Sequence, residues 1–373
     1  MPRSGDYALV FGAAFLATLV ATPVCGWLAR RAGALAQPDE RRVHTVPTPY
    51  FGGLAMLLGL GTSLLVASRV HAFSAMFDPS AIPIGVMVGA VVICALGTLD
   101  DVRPVSAPAK TAGMVLAATV LYRFGVTMLF LRIPFAGTLV LSSDLAPLIT
   151  VLWVLGMANA VNFIDGLDGL ATGIVAIAAG SFFLYGHHLV QEGVLLPENP
   201  SPLLAVLVLG ICLGFLPYNF HPARIFMGDG GALLLGLLMA CSTMLVGGQT
   251  AQGFSGSTFF FYLPLVIPFF VMGVPILDTA FAIIRRATRG GGIAEADKDH
   301  LHHRLMRLGH GQRRSVFILW AWTALLSGFV LYPAYNGGRG DAAVPIGVMA
   351  LGLILYTYFH PGVRRARHAP PEG

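Results

Sequence analysis

The chain has 373 residues, of which 56% are hydrophobic and 11% charged, and its mean hydropathy is +0.76. Soluble domains carry roughly 25% charged residues, so this composition excludes an ordinary soluble protein and indicates a polytopic membrane protein. The formal net charge is +5. In a membrane protein such a charge reports orientation and attraction to anionic lipid, so we expect a lipid bilayer and no nucleic acid as partner.

Hydrophobic segments recur along the chain at the length that a helix needs to cross a bilayer. We predict an all-α polytopic membrane protein of about eleven transmembrane helices, forming one integral-membrane domain over residues 1–373. The longest polar stretch, 285–315, is predicted to be a cytoplasmic basic loop within that domain. The predicted spans are Tyr7–Leu28, Gly52–Ser68, Pro83–Leu99, Thr111–Leu131, Leu145–Ile164, Gly169–Val190, Leu203–Phe220, Gly231–Gly248, Phe259–Ile284, Val316–Tyr335 and Ala342–Phe359.

The placement of Lys and Arg predicts how these spans are oriented. With the N-terminus outside, the cytoplasmic loops and the C-terminal tail hold 18 of the 23 Lys and Arg residues. The positive-inside rule strongly favours this topology. It places the polar ends of several spans, and the unusual acids on them, together on the cytoplasmic face.

The segment Asn159–Ala171, NAVNFIDGLDGLA, lies between two predicted spans. Asn162, Asp165 and Asp168 follow one another at intervals of three residues, which on a helix places them on one face. A charge in or beside a bilayer span costs about 2.5 kcal/mol or more and is tolerated mainly at a functional site. The alternative is a pair of loop carboxylates that cap the following helix.

Two further span ends carry acids. Asp100 and Asp101 end the third span, where the helix dipole disfavours anions, so they are candidates for binding Mg²⁺ or for taking a proton from an attacking group. Solvated loop acids are the alternative. Lys110 could contact phosphate or anchor the next span at the interface.

Asp229, in the sequence MGDGG, opens the eighth span and suits a divalent cation, while the helix start could offer N–H groups to a phosphate. Asp229 could instead be a simple helix cap, and Phe226 just before it could be a core residue.

Two basic stretches lie on the same predicted side of the membrane. One contains Arg41, Arg42 and His44, and the other contains His302, His303 and Arg304. We expect both to contact phosphate, with ordinary juxtamembrane basic residues as the alternative. Zinc binding would need a further Cys or His at standard spacing, which is missing.

These features together favour metal-assisted displacement at phosphorus, with a lipid as one reactant. They are the acids, the amide of Asn162, Lys110, the two basic stretches and the glycine-rich start of the eighth span. A secondary transporter is the competing hypothesis. Transporter sites lie near the membrane midplane between repeated halves, whereas these acids lie at span ends and the chain shows no internal repeat.

The motifs resemble those of the polyprenyl-phosphate N-acetylhexosamine-1-phosphate transferases, which belong to glycosyltransferase family 4. The stretches PDERRVH, PTPYFGG, LDD, NAVNFIDGLDGLATG, NFHPARIFMGDGG, PILDTAFAIIRR and DKDHLHHRL occur in the family order and cover almost the whole chain. The resemblance implies transfer of a sugar 1-phosphate from a UDP-N-acetylhexosamine to undecaprenyl phosphate, release of UMP, and dependence on Mg²⁺, with Mn²⁺ as an alternative. We also expect a bacterial inner membrane protein with a cytoplasmic active site, and a second copy of the chain, in a homodimer, as a further partner.

The resemblance implies roles for individual residues. Asp100 and Asp101 would face the lipid phosphate and the metal, one of them acting as base, and Lys110 matches the family lysine. Asp229 would ligate the metal, and we add Asn162 as a second ligand. The other residues expected at the site are Asn162, Asp165, Asp168, Phe226, His44 and Arg304 for substrate binding, and His302 and His303 as catalytic contacts to the pyrophosphate.

The HLHHR stretch decides between two branches of this family. It resembles the branch that starts teichoic acid, O-antigen and enterobacterial-type glycans, and we therefore expect N-acetylglucosamine 1-phosphate as the transferred group. The branch that acts on the muramoyl pentapeptide has three consecutive histidines, which this chain lacks. Muramoyl-pentapeptide phosphotransfer is the alternative function. Many members also have Gln where Met114 stands and a small hydroxyl residue where Ala232 stands.

Overall fold

A computed structural model describes residues 2–37, 46–77, 81–133, 137–247, 305–306, 308–336, 341 and 343–359. The described part of the chain is mostly helical, and eight of its helices are long and apolar enough to cross a membrane. The predicted class, an all-α polytopic membrane protein, is confirmed. The helices are α1 Ser4–Ala32, α2 Gly52–Arg69, α3 Ser74–Phe77, α4 Ile82–Val102, α5 Ala107–Arg123, α6 Leu145–Ile164, α7 Leu170–Gln191, α8 Ser201–Asn219, α9 Gly228–Gly247, α10 Gln312–Tyr335 and α11 Ala343–Phe359, with a 3₁₀ turn at His71–Phe73.

Two short antiparallel hairpins interrupt the helices. Strands β1 (Leu35–Ala36) and β2 (Thr48–Pro49) pair Leu35 with Pro49, between α1 and α2. Strands β3 (Phe130–Ile133) and β4 (Gly137–Val140) pair Phe130 with Val140, between α5 and α6.

The predicted fourth span, Thr111–Leu131, was wrong in its position and length. Helix α5 begins at Ala107, because Ser106 has an extended backbone and Pro108 suits the first turn, and it ends at Arg123. Gly125 then takes a φ of +89°, which terminates the helix, and the chain enters strand β3. The predicted ninth span, Phe259–Ile284, lies outside the described residues, as does most of the predicted loop 285–315.

Helix α9 is the centre of the bundle. It is apolar on all sides, which predicts that a helix is buried all round, and 94% of its membrane-spanning stretch within Gly228–Val246 is buried. Helices α2, α4, α6, α7 and α8 all contact it. Small residues allow this close approach: a Cβ added to Gly236 would lie 2.5 Å from the Cα of Ala158 on α6. The first turn of α9 is therefore held by several helices at once.

Candidate functional site

The first turn of α9 positions Asp229 against the end of α4. A Cβ added to Gly97 would lie 2.5 Å from the carbonyl carbon of Asp229, so only glycine allows the two backbones to come this close. Asp100 and Asp101 lie one turn further along α4, in its last residues. Two segments that are more than 100 residues apart in sequence thus bring three carboxylates together.

Lys110 joins two of these carboxylates. Its Nζ donates to Oδ2 of Asp100 at 2.8 Å and also to Oδ2 of Asp229. The second oxygen of Asp100 accepts the backbone N–H of Val105 at 2.7 Å, which closes the α4–α5 connection. The lysine side chain is 17% exposed, so the ion pairs are shielded but reachable from solvent. The sequence-predicted group of Asp100, Lys110 and Asp229 is therefore brought together.

Asp101 caps α9 across the helix interface. Its two carboxylate oxygens accept the N–H groups of Asp229 at 2.9 Å and of Gly230 at 3.3 Å. The N–H of Gly231 bonds to the carbonyl of Met227. The expectation that these N–H groups would hold a phosphate is therefore wrong for this structure, because the Asp101 carboxylate, favoured by the positive end of the helix dipole, has taken two of them.

The segment before α2 closes the other side of the α9 start. The N–H groups of Gly52 and Gly53 donate to the carbonyls of Phe226 and Met227 at 3.1 and 3.0 Å. Phe226 is half-buried, and its ring lies 6.4 Å from that of Tyr50. The PTPYFGG and RIFMGDGG segments are thus in direct contact, and Phe226 lies three residues before Asp229 on the second of them.

The NAVNFIDGLDGLA segment differs from its prediction. Helix α6 ends at Ile164 with Asp165 as its C-cap, so Asn162 is on the helix while Asp165 and Asp168 are on the connection to α7 and do not share a helical face with it. Gly169, at a φ of +75°, is the N-cap of α7, so Asp168 is not that cap either. Two glycines in this connection favour the break.

Asp165 lies in a region of negative charge. Its pKa is raised well above the usual value, first by burial and then by the charges of Asp229, Asp101 and Asp168. Among the described residues, no hydrogen-bond donor reaches its carboxylate. Asp229, Asp101 and Asp168 are therefore close enough to Asp165 to disfavour its ionised form, and a cation bound between them would favour that form.

Asp168 is held by the segment between α8 and α9. Its Oδ2 accepts Nδ1–H of His221 at 2.7 Å and the N–H of Ala223 at 3.1 Å. Nearby, Oδ1 of the buried Asn219 accepts the N–H of Gly169 and the hydroxyl of Thr172. Sequence reasoning did not single out His221, although it lies within the NFHPARIF stretch that precedes MGDGG.

Four predicted site residues, His44, His302, His303 and Arg304, lie outside the described residues, together with Arg41 and Arg42. Their assigned roles stay predictions.

The described donor set fits Mg²⁺ held jointly with substrate. Within the part of the chain that the structure describes, no three His, Cys, Asp or Glu side chains are placed to hold a metal ion by themselves. Mg²⁺ needs fewer, since it usually takes one or two carboxylates, several waters and phosphate oxygens. The side chain of Asp229 is 31% exposed and pairs with the ammonium of Lys110, so its carboxylate is accessible to a cation.

Comparison with known proteins gives a consistent assignment. Residues 83–247, which carry α4 to α9 and all the carboxylates described above, match glycosyl transferase family 4. The decaprenyl-phosphate N-acetylglucosaminephosphotransferase of Mycobacterium tuberculosis is 38% identical over 351 residues, covering 93% of this chain and 87% of that protein.

Two further relatives extend the comparison. The probable undecaprenyl-phosphate N-acetylglucosaminyl 1-phosphate transferase of Bacillus subtilis is 37% identical over 84% of this chain and 80% of its own length. The phospho-N-acetylmuramoyl-pentapeptide-transferase of Desulforudis audaxviator is 32% identical over 83% of this chain and 92% of its own length. The chain thus belongs to glycosyl transferase family 4, among relatives named as polyprenyl-phosphate N-acetylglucosamine phosphotransferases.

Proposed function

We propose that the protein transfers an N-acetylhexosamine 1-phosphate, favouring N-acetylglucosamine 1-phosphate, from a UDP-sugar to a polyprenyl phosphate, with release of UMP. The observation that carries the proposal is the meeting of Asp100, Lys110 and Asp229, from α4, α5 and α9, at one end of an apolar bundle. Such a set of charges suits phosphoryl chemistry on a lipid, and the relatives' names point to the same chemistry.

In the proposed reaction, an oxygen of the lipid phosphate attacks the phosphorus that bears the sugar. A new P–O bond gives the polyprenyl diphosphate sugar, and the bond from that phosphorus to the bridging oxygen breaks and leaves UMP. A phosphate monoester has its second pKa at about 6, so the attacking oxygen is largely ionised at neutral pH. A general base is then of minor importance, and Asp100 and Asp101, whose oxygens already accept hydrogen bonds, mainly position other groups.

The chain's own residues divide this work. Asp101 fixes the start of α9 and so fixes Asp229. Lys110 bridges Asp100 and Asp229, offsets the repulsion between their charges, and offers an ammonium to an entering phosphate. Asn162, Asp165, Asp168 and Phe226 are proposed to bind the nucleotide. His302 and His303 are proposed to contact the pyrophosphate, and His44 and Arg304 to bind substrate.

Mg²⁺, with Mn²⁺ as a substitute, is proposed as the cofactor, held by Asp229 with Asn162. When bound, it would neutralise charge on the transferred phosphoryl group. The carboxylates around Asp229 and Asp165 support this proposal, because they concentrate negative charge that Lys110 alone does not balance.

We further propose that the site faces the cytoplasm of a bacterial inner membrane, where nucleotide sugars are made. The excess of Lys and Arg in the loops on the site's side supports this orientation. Single-cysteine reporters at Asp39 and Asp297 should be labelled only by a reagent that crosses the membrane. Labelling of Asp297 from the outside would contradict this orientation.

The decisive test is incubation of purified protein with a polyprenyl phosphate, Mg²⁺ and a panel of UDP-sugars, with UMP release as the readout. Undecaprenyl and decaprenyl phosphate are both included, because the relatives' names mention both lipids. We expect turnover of UDP-N-acetylglucosamine and none of the UDP-muramoyl-pentapeptide. Turnover of the pentapeptide alone would assign the protein to the other branch, and no UMP from any donor would overturn the proposal.

A further inference from the structure

The last residue of α8 and the segment that follows it, residues 219–223, fix the orientation of Asp168 from outside its own loop. The connection between α6 and α7 is not helical at residues 165–168, so we expect its side chains to be oriented by contacts with other segments. His221 and Ala223 supply it, and both donate to the same oxygen, Oδ2 of Asp168. Among the described residues, no donor reaches the other oxygen, Oδ1.

The supporting segment is itself anchored on two sides. Asn219 is buried and ties it to the start of α7 through Gly169 and Thr172. On the other side, Nε of Arg313 on α10 donates to the carbonyl of His221 at 3.3 Å. The ring of Phe220 also packs against those of Phe317 and Trp320, at centroid distances of 5.7 and 5.9 Å. The backbone around His221 is therefore held by contacts with both α7 and α10.

We propose that His221 is a positioning residue for the sugar-nucleotide donor, acting through Asp168. Its Nδ1–H holds one carboxylate oxygen and so leaves the other oriented to accept an N–H or O–H of the nucleotide. To donate to a carboxylate, Nδ1 must carry the proton, which fixes the tautomer of a neutral ring. This inference rests on the proposed function, because it assumes that Asp168 binds the donor.

The test measures the affinity for UDP-N-acetylglucosamine, in the presence of Mg²⁺, and kcat and KM for UMP release. His221→Phe keeps a ring of similar bulk but loses the Nδ1–H, and it should weaken donor affinity about tenfold, with a smaller change in kcat. His221→Asn places an amide N–H close to the position of Nδ1 and should restore most of the affinity. The matched control is His188→Phe, which removes a 2.8 Å hydrogen bond to the carbonyl of Ala334 but should leave donor affinity unchanged.

A double-mutant cycle separates positioning from general support of the fold. If His221 acts through Asp168, the His221→Phe and Asp168→Asn double variant should bind donor no more weakly than Asp168→Asn alone. Additive losses, or wild-type affinity in His221→Phe, would overturn the role of His221 while leaving the proposed function intact. Wild-type protein that releases no UMP from any UDP-sugar would instead overturn the proposed function and this inference with it.

Discussion

The two acidic regions of the site differ in how their negative charge is balanced. Asp100, Asp101 and Asp229 are satisfied within the protein by an ammonium and by backbone N–H groups. Asp165 is close to three other acids, which disfavour its ionised form. Asp168 accepts hydrogen bonds only from a backbone N–H and an imidazole among the described residues. The contacts of the first region thus hold it in place without ligand, although the one ammonium of Lys110 does not balance three carboxylates. The second region has no Lys or Arg partner among the described residues, so a bound cation or donor would compensate its charge. We therefore call the region of Asp100, Asp101 and Asp229 the catalytic end of the site, and the region of Asp165 and Asp168 its binding end.

The largest expected effect comes from the first region. Asp229→Asn keeps the shape of the side chain but removes its charge, so Mg²⁺ should bind more weakly and Lys110 should lose an ion pair. We expect turnover to fall by about 100-fold or more, equivalent to about 3 kcal/mol of transition-state stabilisation. UMP release measured with Mg²⁺ titrated in detergent tests this. A variant with wild-type rate and Mg²⁺ dependence would show that Asp229 is not the metal ligand.

Asp100→Asn should affect rate more than donor binding. Asp100 contacts Lys110 and the α4–α5 connection, and its proposed work is on the lipid phosphate. We expect transfer to slow by about tenfold to 100-fold, at or below the roughly 100-fold minimum typical of a general base, because Asp100 mainly positions other groups. Donor affinity should stay within about twofold of wild type. Equal losses in rate and in donor affinity would show that the two regions do not divide the work as proposed.

The positions of the acids could be predicted from the sequence because the signals are local. A carboxylate at either end of a long apolar segment is rare and costly, so Asp100, Asp165 and Asp229 stand out without knowledge of the fold. Eight predicted spans correspond to helices long enough to cross a membrane for the same reason, since hydropathy is a property of each segment.

Partnerships between distant residues could not be predicted in this way. Asp101 caps a helix that begins 127 residues later in the sequence, at Gly228, and His221 holds an acid 53 residues earlier. Neither pairing has a signal in local spacing. The end of α6 does have a local signal. Gly166 and Gly169, on either side of Asp168, favour a break in the helix, although acids three residues apart suggest a continuous one.

Close backbone approach at the catalytic end is the third target. Gly97→Ala would place a methyl group against the carbonyl carbon of Asp229, and the backbones of α4 and α9 must separate to accept it. We expect a loss of about 2 kcal/mol in stability, together with reduced turnover as Asp229 moves. Gly156→Ala on α6 is the control, since nothing lies within 4 Å of its added Cβ, and it should be neutral or slightly stabilising. Thermal unfolding in detergent and UMP release compare the two. Equal behaviour would show that the α4–α9 contact is looser than described.

The smallest effect should appear at the binding end, where the two acids are expected to respond in opposite directions. Asp165→Asn removes a half-buried carboxyl whose ionised form Asp229, Asp101 and Asp168 disfavour, so the Mg²⁺-free protein should become more stable by about 1 kcal/mol at neutral pH. Asp168→Asn weakens the bonds from His221 and Ala223 and should destabilise the protein by a similar amount. Thermal unfolding with EDTA gives both values, and excess Mg²⁺ with donor should stabilise the wild type more than either variant. If Asp165→Asn instead lowers stability with EDTA, a partner inside the protein already balances its charge. The division between a catalytic end and a binding end would then lose its electrostatic basis.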